Sequence, residues 1–93
     1  MVFQGYLSGS PAITLMDTGA SHCFLDLSFA QQNNLALHPT KTSVTLADGA
    51  LSNVVLKTAP LKMKIGSHFS TTIFYILDMQ SQYDLILGDN WHS

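Results

Sequence analysis

The chain has 93 residues, enough for one small domain with a modest core. Hydrophobic residues make up 46% of it and charged residues only 11%, where about a quarter is typical, so we expect another subunit to cover part of the apolar surface. The net charge of −2 argues against nucleic acid as a direct ligand, and no apolar run approaches the length of a membrane span.

Residues that form disulfides or bind metals are few and scattered. Cys23 is the only cysteine, so an internal disulfide is not possible, which fits a reducing compartment. The histidines share no metal-ligand spacing, and we interpret each as solvated or packed: His22, His38, His68 and His92. We therefore expect no metal and no other cofactor. The N-terminus has no signal-peptide pattern, so we expect an intracellular, cytoplasmic protein.

The first part of the chain predicts two strands that lead to an acidic residue. Val2–Leu7 is typical of a strand, and residues 8–11 (Ser-Gly-Ser-Pro) predict a turn. Residues 12–16 form a short apolar, partly β-branched run that predicts a buried strand. Asp17 follows directly, so the second strand delivers a carboxylate at its end.

The middle of the chain predicts a short helix and a hairpin. Residues 29–33 favour a brief helix that Asp26 or Ser28 caps, and Pro39 ends this region. Alternating apolar residues in 42–56 flank Asp48-Gly49, a favoured two-residue hairpin turn. We therefore predict a hairpin whose tip is at Asp48 and Gly49.

The last third predicts further strands. Leu61–Ile65 alternates apolar and basic residues, as a strand with one wet face does, and residues 66–67 turn it into a strand over 69–77. Residues 78–82 are a polar connection, and 83–88 predict a short buried strand. Residues 88–91 predict the start of a helix, with Asp89 or Asn90 suited to capping it.

Asp17 is the strongest candidate for a catalytic residue. A carboxylate after a buried strand is costly unless it is paired or solvated in a cleft. Thr18 offers a hydroxyl donor, Gly19 permits close backbone approach or positive φ, and Ala20 leaves space. Together they suit a carboxylate that is held still yet reachable. The alternative is that Asp17 only opens a turn, since Asp-x-Gly is ordinary turn chemistry.

Three segments in order extend this motif. They are Leu-Met-Asp-Thr-Gly-Ala-Ser at 15–21, Val-Thr-Leu-Ala-Asp-Gly-Ala at 44–50 and Asp-Leu-Ile-Leu-Gly-Asp-Asn-Trp at 84–91. They resemble the active loop, the flap and the closing strand of retropepsin-like aspartic proteases, and are most similar to those of gypsy-type LTR retrotransposons. The resemblance covers nearly the whole chain. It implies an all-β fold: a small retropepsin-like (acid protease) β-barrel over 1–93, with a flap hairpin and one or two short helices, as a two-fold homodimer.

The resemblance also implies a mechanism. Aspartic proteolysis needs two carboxylates that share a proton, one to activate water and one to assist the scissile carbonyl. This chain has one Asp-Thr-Gly loop, so Asp17 of each subunit would form the pair. Such a pair implies activity at acid to mildly acid pH. Thr18 would brace the two loops, Gly19 would supply a backbone amide near the pair of carboxylates, and Ala20 would support the same loop.

The implied substrate is an extended polypeptide, cleaved during polyprotein processing. The implied flap contacts to it are Ala47, Asp48, Gly49 and Ala50, and the candidates for its side pockets are Leu46, Ala47, Ala50 and Ile86. The protein would work inside the cell as part of a longer polyprotein or particle. Direct contact with nucleic acid or with a membrane is not expected.

Two departures from the family pattern keep an alternative open. Family members usually continue through a longer helix and a terminal strand, so the end at Ser93 suggests a segment cut from a longer polyprotein. Asp89 stands where retroviral members usually have Arg. The alternative is a catalytically weak binding or dimerisation module on the same fold. A third interpretation is an unrelated small β domain that carries the motif by accident.

Overall fold

A computed structural model describes residues 1–17, 19–46, 48–80 and 82–88. Within these ranges the chain forms nine strands and one short helix. The elements are β1 Val2–Leu7, β2 Ser10–Met16, β3 Phe24–Asp26, α1 Leu27–Gln32, β4 Leu37–Thr45, β5 Leu51–Thr58, β6 Leu61–Ile65, β7 His68–Thr72, β8 Tyr75–Leu77 and β9 Leu85–Leu87. The predicted all-β class is confirmed.

The nine strands belong to one sheet, in the order β4-β5-β8-β3-β9-β2-β1-β6-β7. Most neighbours are antiparallel, but β2 with β9 and β3 with β8 are parallel. Laid flat at ordinary strand spacing, nine strands would be about 38 Å wide, whereas the longest dimension of the molecule is 32 Å. The sheet therefore curls, as the predicted small barrel requires, and β4 and β7 are its edges.

The core lies on the inner face of the curl. Alternation puts Met63 inside while its neighbours Lys62 and Lys64 remain exposed. Fully buried apolar side chains come from most of the elements, and burial of each stabilises the fold by about 1.5–3 kcal/mol. The largest are Leu7, Phe24, Leu25, Met63, Phe74, Leu85 and Leu87.

The first turn is shorter than predicted. Leu7 pairs with Ser10, so only Ser8 and Gly9 lie in the turn, and residues 10–11 already belong to β2. Both turn residues have positive φ, 49° and 86°. This is the backbone twist that a two-residue hairpin turn needs between right-twisted strands.

The helix differs from its prediction at both ends. It begins at Leu27, so Asp26 is the N-cap residue, yet its side chain caps nothing in the helix. The Asp26 carboxylate instead accepts the backbone N–H of Met79 at 2.8 Å. Pro39 does not end this region, because it lies inside β4. An edge strand tolerates a proline, whose missing N–H can face away from the sheet.

The predicted strand over 69–77 is two strands with a bend between them. β7 pairs with β6, whereas β8 pairs with β3 and β5. Phe74, at the bend, is fully buried, and its N–H donates to the hydroxyl of Thr58 at 3.1 Å. The Thr58 side chain thus replaces a backbone acceptor at the point where the chain passes from pairing with β6 to pairing with β3 and β5.

The predicted hairpin is confirmed, with longer strands and a larger turn. β4 and β5 pair from Leu37↔Thr58 to Thr45↔Leu51. At the tip, the N–H of Leu46 donates to the carbonyl of Ala50 at 2.8 Å, which leaves three residues in the loop rather than two. Gly49, with φ of 85°, supplies the left-handed residue typical of three-residue hairpin loops. The helix predicted at 88–91 lies outside the described residues after Gly88.

Candidate functional site

Asp17 stands at the carboxyl end of β2, where β2 and β9 run side by side. Met16 is in register with Leu87, and the N–H of Asp17 donates to the carbonyl of Leu87 at 2.9 Å. The backbone of Asp17 is therefore held by the sheet. Its side chain is half-buried, so the carboxylate is fixed at its base and reachable at its tip.

The Asp17 carboxylate also closes a local turn. Its Oδ1 accepts the N–H of Gly19 at 2.9 Å, and its carbonyl accepts the N–H of Ala20 at 3.2 Å. The turn interpretation from sequence is therefore correct as local structure. It does not compete with a catalytic role, because this bond uses Oδ1 and not Oδ2.

The chain after Asp17 crosses directly over Gly88. A Cβ built on Gly88 would lie 2.8 Å from the carbonyl oxygen of Ala20 and would clash with the carbonyl of His22. Only glycine fits at this crossing. The loop after β2 and the end of β9 thus meet at one point.

Ser21 joins this loop to the base of the hairpin. Its N–H donates to the carbonyl of Thr45 at 3.1 Å, and its hydroxyl oxygen accepts the N–H of Thr45 at 2.9 Å. The same hydroxyl is 2.6 Å from Nδ1 of His22, whose ring packs edge-on against Tyr75 with 4.9 Å between centroids. These hydrogen bonds therefore tie the loop that carries Asp17 to the first strand of the hairpin.

A cavity of about 520 Å³ opens beside Asp17, between the sheet and the hairpin. Its walls are mainly apolar, with three carboxylates. The lining residues are Asp17, Ala20, Phe24, Leu46, Asp48, Ser52, Leu77, Asp78, Met79 and Ile86. Its size and apolar walls suit side chains of a bound peptide.

The residues at one wall of the cavity are held by buried polar contacts. Asp26, only 2% exposed, accepts the N–H of Met79, and the N–H of Asp26 donates to the carbonyl of Asp84. Asp78 accepts the N–H of Gln80 at 3.1 Å. Met79, which lines the cavity, is therefore tied through its N–H to the buried carboxylate of Asp26.

Cys23 lies behind the loop, fully buried. Burial raises the pKa of its thiol, and a backbone hydrogen bond with Gly88 opposes this more weakly. The thiol is thus kept protonated and inert in the folded protein.

In the part of the chain that the structure describes, no group of three or more His, Cys, Asp or Glu could hold a metal ion. No helix in the described ranges is long and apolar enough to cross a membrane.

The structure brings together some of the predicted site residues. Asp17, Ala20, Leu46, Asp48 and Ile86 line the cavity, and Gly19 contacts the Asp17 carboxylate. Gly49 and Ala50 are exposed at the hairpin tip and do not line it. Thr18 and Ala47 lie outside the described residues. The roles assigned to these residues remain predictions.

Sequence reasoning missed several contributors to this site. Ser21 belongs to the motif but was given no role, and His22 was interpreted only as solvated or packed. Asp78 and Met79 were counted as a polar connection. Of these residues, only Ser21 had a signal in the sequence: it ends the motif, and a serine in a loop often forms a hydrogen bond between its hydroxyl and the backbone. The pairing of Asp26 with Met79 joins residues 53 positions apart and leaves no local pattern.

The model of one protein family, described as the PEG10/RTL1 protease domain, matches residues 13–93. The chain belongs to this family. The match starts in β2 and includes the Asp17 loop, the hairpin and β9. The predicted membership of the retropepsin-like aspartic proteases, of retrotransposon type, is confirmed. The comparison with curated proteins finds no significant match.

Solved structures agree with this fold. The chain is similar to EIAV protease in complex with the inhibitor HBY-793, with a TM-score of 0.71 and 21% identity over 95% of this chain and 80% of that one. The retroviral protease-like domain of Ddi1 from Leishmania major has a TM-score of 0.68 and 12% identity, over 98% and 68%. Lpg0085 from Legionella pneumophila, of unknown function, has a TM-score of 0.57 and 17% identity, over 94% and 79%.

Proposed function

We propose that this domain is an aspartic endopeptidase that works as a homodimer and cleaves extended polypeptide, as in polyprotein processing. The observation that carries the proposal is the placement of Asp17: its backbone is fixed by β9, its carboxylate is reachable, and it lines a cavity of about 520 Å³ under a hairpin. Membership of a protease-domain family supports the reaction class.

The need for a second copy follows from the chemistry. One carboxylate must take a proton from the attacking water while another donates to the scissile carbonyl. The other carboxylates lining the cavity, Asp48 and Asp78, are exposed, each accepts a backbone N–H in its own turn, and neither belongs to an Asp-Thr-Gly loop. We therefore assign the second catalytic carboxylate to Asp17 of a symmetry-related copy.

The hairpin gives the domain its way of holding substrate. Leu46 lines the cavity from the hairpin side and Ile86 from the sheet side. A peptide between them would be bound in extended form, with main-chain hydrogen bonds giving affinity and apolar pockets giving specificity. The Ser21 contacts to Thr45 would fix the base of the hairpin relative to Asp17, while closure at its tip excludes water.

Cleavage of a peptide library by the wild type and by Asp17→Asn tests the reaction. The Asn variant keeps an oxygen that accepts the Gly19 N–H, so the loop should fold, yet it cannot take a proton from water. Loss of cleavage supports the proposal, and equal cleavage by the two proteins overturns it. A folded, dimeric wild type that cleaves nothing across pH 3–8 would instead favour a binding or dimerisation module.

Mixing the two proteins tests the homodimer. If both Asp17 side chains are needed, an equal mixture after subunit exchange holds about one quarter of its dimers in active form. If each chain acts alone, about one half of the activity of undiluted wild type remains. The activity of the mixture relative to wild type therefore distinguishes a shared active site from one active site per chain.

A further inference from the structure

A second cavity, of about 660 Å³, lies on the outward face of β1, β6 and β7 and shares no lining residue with the Asp17 cavity. We call it the β6 groove and define it by Tyr6, Pro60, Lys62, Lys64 and Phe69. The proposed peptidase activity gives it no role. Its position on one edge of the sheet makes it accessible from outside.

Aromatic side chains form a row across the groove. Tyr6 on β1 is in register with Lys64 on β6, which is in register with Phe69 on β7. Phe69 is 71% exposed and Tyr6 41% exposed, and Nζ of Lys64 is 5.5 Å from the centre of the Phe69 ring. Exposed aromatic surface next to a cavity is the usual mark of a binding surface.

The groove is positive on a chain that is negative overall. The chain has four Lys and Arg residues and a net charge of −2, and two of the four cations, Lys62 and Lys64, line the groove. No acidic residue is among the described residues that line it. The charge of the groove therefore favours a carboxylate-bearing partner, against the sign of the whole molecule.

The spacing of the two lysines defines the form of that partner. Lys62 and Lys64 are two residues apart on one strand, so their side chains leave the same face about 6.6 Å apart. Alternate residues of an extended peptide have the same repeat. Pro60, two residues earlier, lines the same groove and offers an apolar surface. The matching ligand pattern is apolar-x-acid-x-acid.

We propose that the β6 groove binds an extended acidic segment of a partner protein, whose two carboxylates at alternate positions pair with Lys62 and Lys64. An apolar side chain of the segment packs near Pro60, and the aliphatic stems of its acidic residues lie between the rings of Tyr6 and Phe69. The binding needs no cleavage, so it stands apart from the function proposed for Asp17.

A labelled peptide tests this directly. The probe is fluorescein-Leu-Ser-Glu-Ser-Glu with an amidated C-terminus, and its counterpart without side-chain carboxylates is the amidated fluorescein-Leu-Ser-Gln-Ser-Gln. The negative dye is common to both peptides, and binding is measured by fluorescence anisotropy at low salt. The double variant K62Q/K64Q is compared with K41Q/K57Q, which removes the two other lysines. Both variants have the same net charge, so attraction by net charge alone affects them equally.

The proposal predicts that K62Q/K64Q weakens binding of the Glu peptide about tenfold, the value expected for two exposed ion pairs. K41Q/K57Q should change it by less than about twofold, and F69A should weaken it without changing its salt dependence. K62R/K64R, which keeps both charges, should bind as the wild type does.

Three results would overturn the proposal. Equal weakening by both double variants would mean that only net charge matters. Equal binding of the Gln peptide would mean that Lys62 and Lys64 do not recognise the carboxylates of the peptide. Failure of the Glu peptide, together with Lys62- and Lys64-dependent binding to phosphatidylserine vesicles or with self-association through this face, would assign the groove to a membrane surface or to a second copy.

Discussion

Asp17 and Asp48 begin two turns that are locally the same. In each, carboxylate Oδ1 accepts the N–H of the residue two positions later, at 2.9 Å in both cases: Gly19 for Asp17 and Ala50 for Asp48. Sequence rules treat them alike, since Asp followed closely by Gly is ordinary turn chemistry. Both side chains also line the same cavity.

Their surroundings differ. The N–H of Asp17 bonds to Leu87 on a neighbouring strand, and the chain after it packs on Gly88, so distant parts of the sequence fix this carboxylate. Asp48 is exposed at a hairpin tip whose described hydrogen bonds are all within residues 46–50. The turn is the same in both places, and only Asp17 has described tertiary contacts of the kind that hold a carboxylate in the fixed geometry that catalysis would need.

The largest expected contrast is catalytic. Asp17→Asn and Asp48→Asn both keep the oxygen that accepts the turn N–H, so both should fold with little change in stability. Asp17→Asn should lower kcat/KM by about a thousandfold, within the range for loss of a general acid or base. Asp48→Asn should change it less than about threefold. Comparable losses in the two variants would remove the distinction between the turns.

Glycine substitutions should separate the two regions by stability. Gly88→Ala puts a methyl group against the backbone of Ala20 and His22, which cannot move aside cheaply, so we expect a loss of about 3 kcal/mol or more in unfolding free energy. Gly49→Ala meets nothing within 4 Å and suffers only its positive φ, at a cost of about 1 kcal/mol. Urea denaturation measures both losses. A loss for Gly88→Ala no larger than that for Gly49→Ala would show that the backbone of Ala20 and His22 does not pack closely on Gly88.

Serine substitutions on either side of the hairpin base give a smaller contrast. Ser21→Ala removes the oxygen that accepts the Thr45 N–H and contacts His22, and should cost about 1 kcal/mol. Ser43→Ala, on the same strand as Thr45, removes only an exposed bond to Asn53 and should cost less than about 0.5 kcal/mol. Equal thermal unfolding of the two variants would show that Ser21 does not hold the hairpin.

Cys23 tests the packing behind the Asp17 loop. Because burial raises the pKa of its thiol, a thiol reagent at neutral pH should react with the folded protein far more slowly than with protein in urea. Absorbance of the released chromophore from a disulfide reagent measures the two rates. Rapid reaction under native conditions would show that the region behind the Asp17 loop opens readily.

The sequence predicted those features that depend on local pattern. Alternation placed β1 and β6, and Asp48-Gly49 placed the hairpin tip. The side-chain cap by Asp26 and the single strand over 69–77 were wrong because a distant partner decided the outcome, whereas the two-residue turn was wrong because a local bond closes a three-residue loop. Ala50 bonds across the loop to Leu46, Asp26 bonds to Met79, and Thr58 receives the N–H of Phe74.

For the candidate site, the resemblance proposed the residues, and local reasoning gave a physical reason for only some of them. The carboxylate of Asp17 and the small residues after it could be interpreted from their chemistry. The cavity wall formed by Phe24, Leu77 and Met79 could not, because it needs the parallel pairing of β3 with β8, which joins residues about fifty positions apart. Such long-range parallel pairing leaves no turn signal in the sequence.

In the proposed homodimer, one active site uses Asp17 from two copies of the chain. The most direct measurement is the stoichiometry of a statine-type transition-state mimic, determined by native mass spectrometry with the wild type and Asp17→Asn. We expect one inhibitor bound to two chains of wild type and much weaker binding to the variant. A complex of one inhibitor with one chain, or equal binding to the variant, would contradict it.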